Sequence, residues 1–137
     1  MRKIFVIAVF AILLLPAACA PAAVVNQVDL GKEFQLSVNQ TATIKNENMK
    51  VTFLQVTEDS RCPTGVQCVW EGRATSLVRV VTKNTADLKL SEPGLTASPY
   101  QYTFGDYTIF FHLQPYPEAG KQIAAGQYRL VMSISKE

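Results

Sequence analysis

The chain has 137 residues, 48% of them apolar and 18% charged, with 13 Lys and Arg against 11 Asp and Glu. Arg2 and Lys3 belong to a targeting-type N-terminal segment; without residues 1–18 the basic count falls from 13 to 11, level with the 11 acidic residues. A mature chain without net charge gives no electrostatic case for nucleic acid or an anionic surface, and its remaining 119 residues (137 less 18) suit one domain with one core.

The segment itself reads as a secretory signal peptide. Arg2 and Lys3 open it, Ile4 to Leu15 is an unbroken apolar run, and the small residues Ala17, Ala18, Cys19 and Ala20 follow. The apolar run makes a helix of about 18 Å, short of the ~30 Å of a bilayer's hydrocarbon core. Small residues directly before Cys19 resemble the lipobox of bacterial lipoproteins, although Pro16 stands where that family prefers leucine. The resemblance implies an acylated Cys19 as first residue of the mature chain, sorted to the outer membrane if the cell has one, because Ala20 is not aspartate. The alternative is ordinary cleavage after Ala20-Pro21-Ala22 and a soluble periplasmic or secreted protein. Either cleavage removes Cys19 from the thiol count and leaves Cys62 and Cys68 as a pair. The expected layout is a signal peptide over 1–18, a tether over 19–31 and a single folded domain over 32–137.

From Phe34 onward the hydrophobic period is two. Phe34, Leu36 and Val38 alternate with polar residues, and the polar turn Asn39-Gln40 precedes Thr41 to Ile44. Met49, Val51 and Phe53 alternate until the phase slips to Leu54 and Val56, which predicts a β-bulge. Val69 to Val81 reads as extended, and Ala86, Leu88 and Leu90 alternate after it. Tyr107, Ile109, Phe111 and Leu113 form another apolar face, as do Tyr128, Leu130, Met132 and Ile134. Gly105-Asp106 between two short aromatic runs predicts a two-residue type II′ hairpin. Short alternating strands without helical spacing predict an all-β fold: an antiparallel, Ig-like β-sandwich of seven to eight strands, with a small β-barrel as the alternative. Gly126 and Tyr128 entering the last strand resemble the tyrosine corner of Ig-like sandwiches, which implies a Tyr hydroxyl bonded back to nearby backbone.

Asp59 to Ala74 is the unusual stretch. Cys62 and Cys68 flank Pro63, Thr64, Gly65, Val66 and Gln67, and the Pro and Gly permit the reversal a disulfide needs. Trp70, the only tryptophan, is expected to pack over that disulfide into the core; Asp59, Arg61, Glu71 and Arg73 are expected to brace the loop through ion pairs. The loop residues Pro63 to Gln67, with Trp70, are also the candidate binding surface if they face solvent. Ser60-Arg61-Cys62-Pro63, then Cys68-Val69-Trp70 and Gly72, resembles the SRCP…CVW.G segment of a family of small exported bacterial proteins, many of them predicted lipoproteins. The resemblance covers Asp59 to Ala74, with looser agreement at Pro115 to Pro117 and in the Tyr128 strand; that family has no established function and supplies no site residues.

Catalytic parts are few. His112 is the only histidine and alternates onto the polar face of its strand, so it reads as a rim residue. No nucleophile elbow, phosphate-binding glycine loop or spaced calcium loop occurs. The spacing of Cys62 and Cys68 suits neither zinc nor Cys-x-x-Cys redox chemistry. All five tyrosines lie between Tyr100 and Tyr128 near Phe104, Phe110 and Phe111, and Phe110 falls on the otherwise polar face, the pattern of cross-strand packing or of an exposed aromatic face. The expectation is a lipid-anchored, non-enzymatic binding or structural module of the bacterial envelope, without metal or cofactor, meeting a membrane through Cys19 and a protein or glycan through its surface. The alternative is a secreted inhibitor that presents the Cys62–Cys68 loop to a partner such as a protease.

Overall fold

The computed structural model describes residues 26–94 and 99–137. The signal segment, Cys19 and most of the tether lie outside the described residues. The strands are β1 (Asn26–Val28), β2 (Phe34–Ser37), β3 (Thr41–Ile44), β4 (Met49–Asp59), β5 (Arg73–Val81), β6 (Thr85–Pro93), β7 (Tyr100–Phe104), β8 (Tyr107–Gln114) and β9 (Arg129–Lys136). They form a five-stranded sheet, β1-β3-β4-β5-β6, and a four-stranded sheet, β2-β9-β8-β7. The two sheets stay separate, each with two edges, so the fold is a β-sandwich and the barrel alternative falls away. All neighbours are antiparallel except β1 and β3.

The period of two explains the layers. Cross-strand partners such as Phe53↔Val78 and Val78↔Leu88 turn one set of side chains inward from the larger sheet. Ile109↔Ile134, Phe111↔Met132 and Leu113↔Leu130 do the same from the smaller one. Between the sheets Phe53, Leu36, Met49, Leu90, Leu113 and Leu130 are fully buried. Each such side chain contributes roughly 1.5–3 kcal/mol through its removal from water. The outer face of the larger sheet is solvated; there Arg79 forms a bidentate pair with Asp87, at 2.7 and 2.8 Å.

The expected bulge is present: the β4–β5 register shifts between Phe53 and Gln55, and again between Val56 and Glu58. The Gly105-Asp106 hairpin is also present, joining Phe104 to its partner Tyr107 with positive φ at Gly105 alone. Asn39 takes a left-handed φ of 65° in the expected turn, a conformation asparagine tolerates. The tether expectation needs correction. Asn26–Val28 forms β1, and Val28 joins the core because its partner Ile44 carries the apolar face of β3.

The end of the sandwich that holds the β3–β4 turn is closed by polar side chains. Glu47 accepts from the Tyr107 hydroxyl and, at 2.9 Å, from Lys136 Nζ, which also sits 5.2 Å from the Tyr107 ring centroid. The Tyr107 bond and then Lys136 hold the Glu47 carboxyl below its ordinary value of 4.5. A depressed carboxyl stabilises the fold above the ordinary carboxylate range, and that share is lost as pH falls through the folded value. Glu47→Gln is therefore expected to flatten the acid limb of the stability profile, measured as urea midpoints at pH values from neutral down past 4.5; parallel wild-type and variant profiles would count against it.

Candidate functional site

The opposite end carries the Asp59–Ala74 segment. The β4–β5 ladder ends at the pair Asp59↔Ala74. Two backbone bonds extend it: Ser60 N–H to Arg73 O at 2.8 Å and Cys62 N–H to Glu71 O at 3.0 Å. Beyond them the chain reverses, and the Cys62–Cys68 disulfide spans the reversal with Cα atoms 5.9 Å apart. Loop closure over so short a ring contributes about 2–2.5 kcal/mol. Thr64 fastens the loop sideways, donating its N–H to Pro117 O at 2.9 Å and accepting from Ala119 N–H at 3.0 Å. Cys62 and Cys68 are thus paired as the sequence implied.

Beneath the loop lies a buried charge cluster. Arg61 is 3% exposed. Its guanidinium grips Asp59 in bidentate fashion at 2.8 and 2.7 Å and donates to Glu92 Oε1 at 3.1 Å. It also donates to the carbonyls of Leu113, at 2.9 Å, and Pro115, at 3.0 Å. The Tyr116 ring lies under it, 5.1 Å from the guanidinium carbon. The Tyr116 hydroxyl bonds the carbonyls of Cys62 and Gly94. Glu92 Oε2 accepts from the Leu113 N–H at 3.0 Å. Pairing of β7 with β8 begins at Tyr100↔Phe111, so Leu113 lies past it, and Arg61 and Glu92 take the place of a neighbouring strand. Burial pushes the Glu92 carboxyl above its ordinary value, against the opposing pull of the Leu113 amide, His112 and Arg61.

Glycine makes this closeness feasible. A Cβ at Gly72, where φ is +67°, would stand 1.8 Å from Ser60 O; one at Gly94 would stand 1.8 Å from Glu71 O. The chain folds back on itself here with room for hydrogen alone.

Trp70 corrects the sequence reading. It does not pack beneath the disulfide; it is 81% exposed, beside Val69 at 89% and Val66 at 51%. The space under the loop is already taken by Arg61 and Tyr116. Trp70 also lies outside the β4–β5 ladder, so no facing strand turns it inward. Thr64, Gly65, Val66 and Gln67 are exposed as well, and Pro63 is half-buried, so the tip faces solvent. Trp70 walls a shallow cleft of about 780 Å³ with Glu58, Ser60, Glu71, Arg73 and Pro93.

The expected bracing charges divide. Asp59 and Arg61 form the buried pair, whereas Arg73 meets Glu58 loosely at 3.6 Å on the surface. Glu71 contributes its backbone carbonyl, and its side chain is exposed. Tyr128 differs from a tyrosine corner: its hydroxyl donates to the Asp59 carboxylate at 3.0 Å, not to backbone. That bond and burial push the Tyr128 hydroxyl up to about 12, with burial the larger cause. Tyr100, Phe104, Tyr107 and Tyr128 pack against the core, so most of the aromatic run is structural. Phe110 is half-buried in an outer-face groove with Val131 and Gln35.

His112 is half-buried and is not a lone rim residue. Among the described residues its buried Nδ1 has no hydrogen-bond partner, and it lies 3.6 Å from Glu92 Oε2. Glu92 and Tyr116 are the members of this cluster that the sequence reading missed. Glu92 carried a signal: it continues the inward phase of Ala86, Leu88 and Leu90, and a charge in that phase needs a buried partner. Among the described residues, no group of three or more His, Cys, Asp or Glu side chains is placed to hold a metal ion.

Neither a protein-family model, nor a curated protein, nor a solved structure matches the chain.

Proposed function

We propose that the protein is a lipid-anchored, non-enzymatic module of the bacterial envelope that acts by contact through the tip of its Cys62–Cys68 loop. The signal segment and the small residues before Cys19 support export and acylation. One observation carries the contact surface: Val66, Val69 and Trp70 project into solvent from a loop pinned by the disulfide, the rungs at its base and the Thr64 bonds. A disulfide, backbone rungs and the Arg61 cluster fix the tip before any partner arrives, which lowers the ordering cost of binding. Large apolar side chains held in water by so rigid a frame are a contact element, since scattered exposure without a frame carries no such meaning.

The same exposure suits a second reading, a secreted inhibitor that offers the loop to a protein such as a protease. Acylation separates the two. Mass spectrometry of the mature N-terminus is expected to find a lipid on Cys19; a free chain starting at Ala23 would favour the inhibitor. The tip is tested in cells with a photocrosslinking residue at position 69 and a control at Lys89 on the outer sheet face. Position 69 is expected to give adducts, to protein or to lipid, that the control lacks, and equal labelling at both positions would sink the contact reading.

A further inference from the structure

We infer that the surface met by the Val66–Trp70 tip is the lipid bilayer into which the chain is anchored, so that the loop orients the sandwich on its membrane. The inference rests on the anchored reading above and adds the occupant of the tip.

Strand direction is the first ground. β1 runs parallel to β3 and therefore antiparallel to β4, and Asn26 is level with Val51 through Ala42. The Asn26 end of β1 thus points toward the end at which β4 delivers Asp59 to the disulfide loop. The seven residues 19–25 span at most about 23–25 Å when fully extended. From Val51 to Asp59 the ladder covers six β5 steps, Val80 to Ala74, or about 20 Å, and the rungs at Ser60 and Cys62 carry the loop end further out. A Cys19 held at a bilayer surface cannot stand off further than the loop end itself, so an upright domain presses that end against the lipid.

The second ground is the composition of that end. Cys62 to Trp70 is a run of nine residues without a charge, in a chain that is 18% charged. The neighbouring loop, residues 115–127, carries only Glu118 and Lys121, and they pair with each other. Arg61 is sequestered beneath. Tryptophan and valine on a protruding turn suit the interfacial layer, where an indole finds both apolar and polar neighbours. Glu71 directly follows Trp70, and Glu58 and Arg73 line the cleft behind it. These charges hold the contact at the boundary of headgroups and upper acyl chains and out of the deeper hydrocarbon.

Trp70 is the only tryptophan, so its fluorescence reports on this site alone. The acylated chain is reconstituted in phosphatidylethanolamine–phosphatidylglycerol vesicles. Trp70 emission is expected to shift to shorter wavelength, to lose most of its intensity when the lipids are brominated high in the acyl chains, and to resist aqueous acrylamide. Val69→Asp, at a site too exposed to affect folding, is expected to abolish the bromine quenching. An acylated chain whose Trp70 stays open to acrylamide overturns this inference and leaves the anchored reading intact. Shielding from acrylamide without bromine quenching also overturns it, because something other than lipid then covers the tip. A mature chain without acylation overturns both readings.

Discussion

Arg61→Ala is expected to cost about 3–5 kcal/mol, the range for breaking a buried ion pair. The domain as a whole is held by about 5–15 kcal/mol, so the variant should lie near the edge of folding. The loss follows from what is stranded. Asp59 and Glu92 lose their shared cation, and the carbonyls of Leu113 and Pro115 lose a donor. Arg61→Lys keeps the charge, but a single ammonium group cannot reach all these acceptors, so it should recover less than half of the loss. Urea unfolding measures both variants as a change in midpoint at constant slope. A loss under about 1 kcal/mol would mean that the attraction only offsets the desolvation of the ions. The effect should also depend on pH. Burial already holds Glu92 above its ordinary value of 4.5, so the folded state binds that proton more tightly than the unfolded one. Stability from this group is present at low pH and is lost as pH rises through the raised value. Removing Arg61 widens that window upward, so the variant's deficit is largest at neutral pH and narrows in acid.

Gly72→Ala should be nearly as damaging. A left-handed φ costs a non-glycine residue about 1–2 kcal/mol, and overpacking adds about 1–3 kcal/mol. The new methyl would meet the Ser60 carbonyl at 1.8 Å, and backbone cannot step aside as a flexible side chain can. The hairpin rungs at Ser60–Arg73 and Cys62–Glu71 would open and the tip would lose its fixed position. Gly120→Ala is the control: it shares a positive φ, +74°, but has open space around it, so it should show the strain alone. Equal costs at the two positions would mean that close packing does not hold the loop.

The layers of this fold could be read in the sequence because alternation is a local property. Val51-Thr52-Phe53 and Leu130-Val131-Met132 state their inward faces without reference to any other strand. The slip at Phe53 and Leu54 was legible for the same reason. What decided Trp70 was not local. Its place under the disulfide is taken by Arg61 from its own loop and Tyr116 from a loop more than forty positions away, and spacing says nothing of that competition. Strand order was equally hidden: β6 and β8 face each other across the core only because the chain changes sheets between them. Glu92 lies between these cases. Its inward phase was visible, but its partner was not.

Two side chains standing in for a strand at Leu113 also bear on edge-to-edge association of the sheet. An extended backbone with free N–H and C=O groups invites another chain to add to the sheet. At Leu113 the Glu92 carboxylate and the Arg61 guanidinium occupy those groups already. A second molecule would have to displace a buried ion pair to begin stacking there. The cluster that carries the loop is therefore also a guard against fibre growth at that stretch of β8.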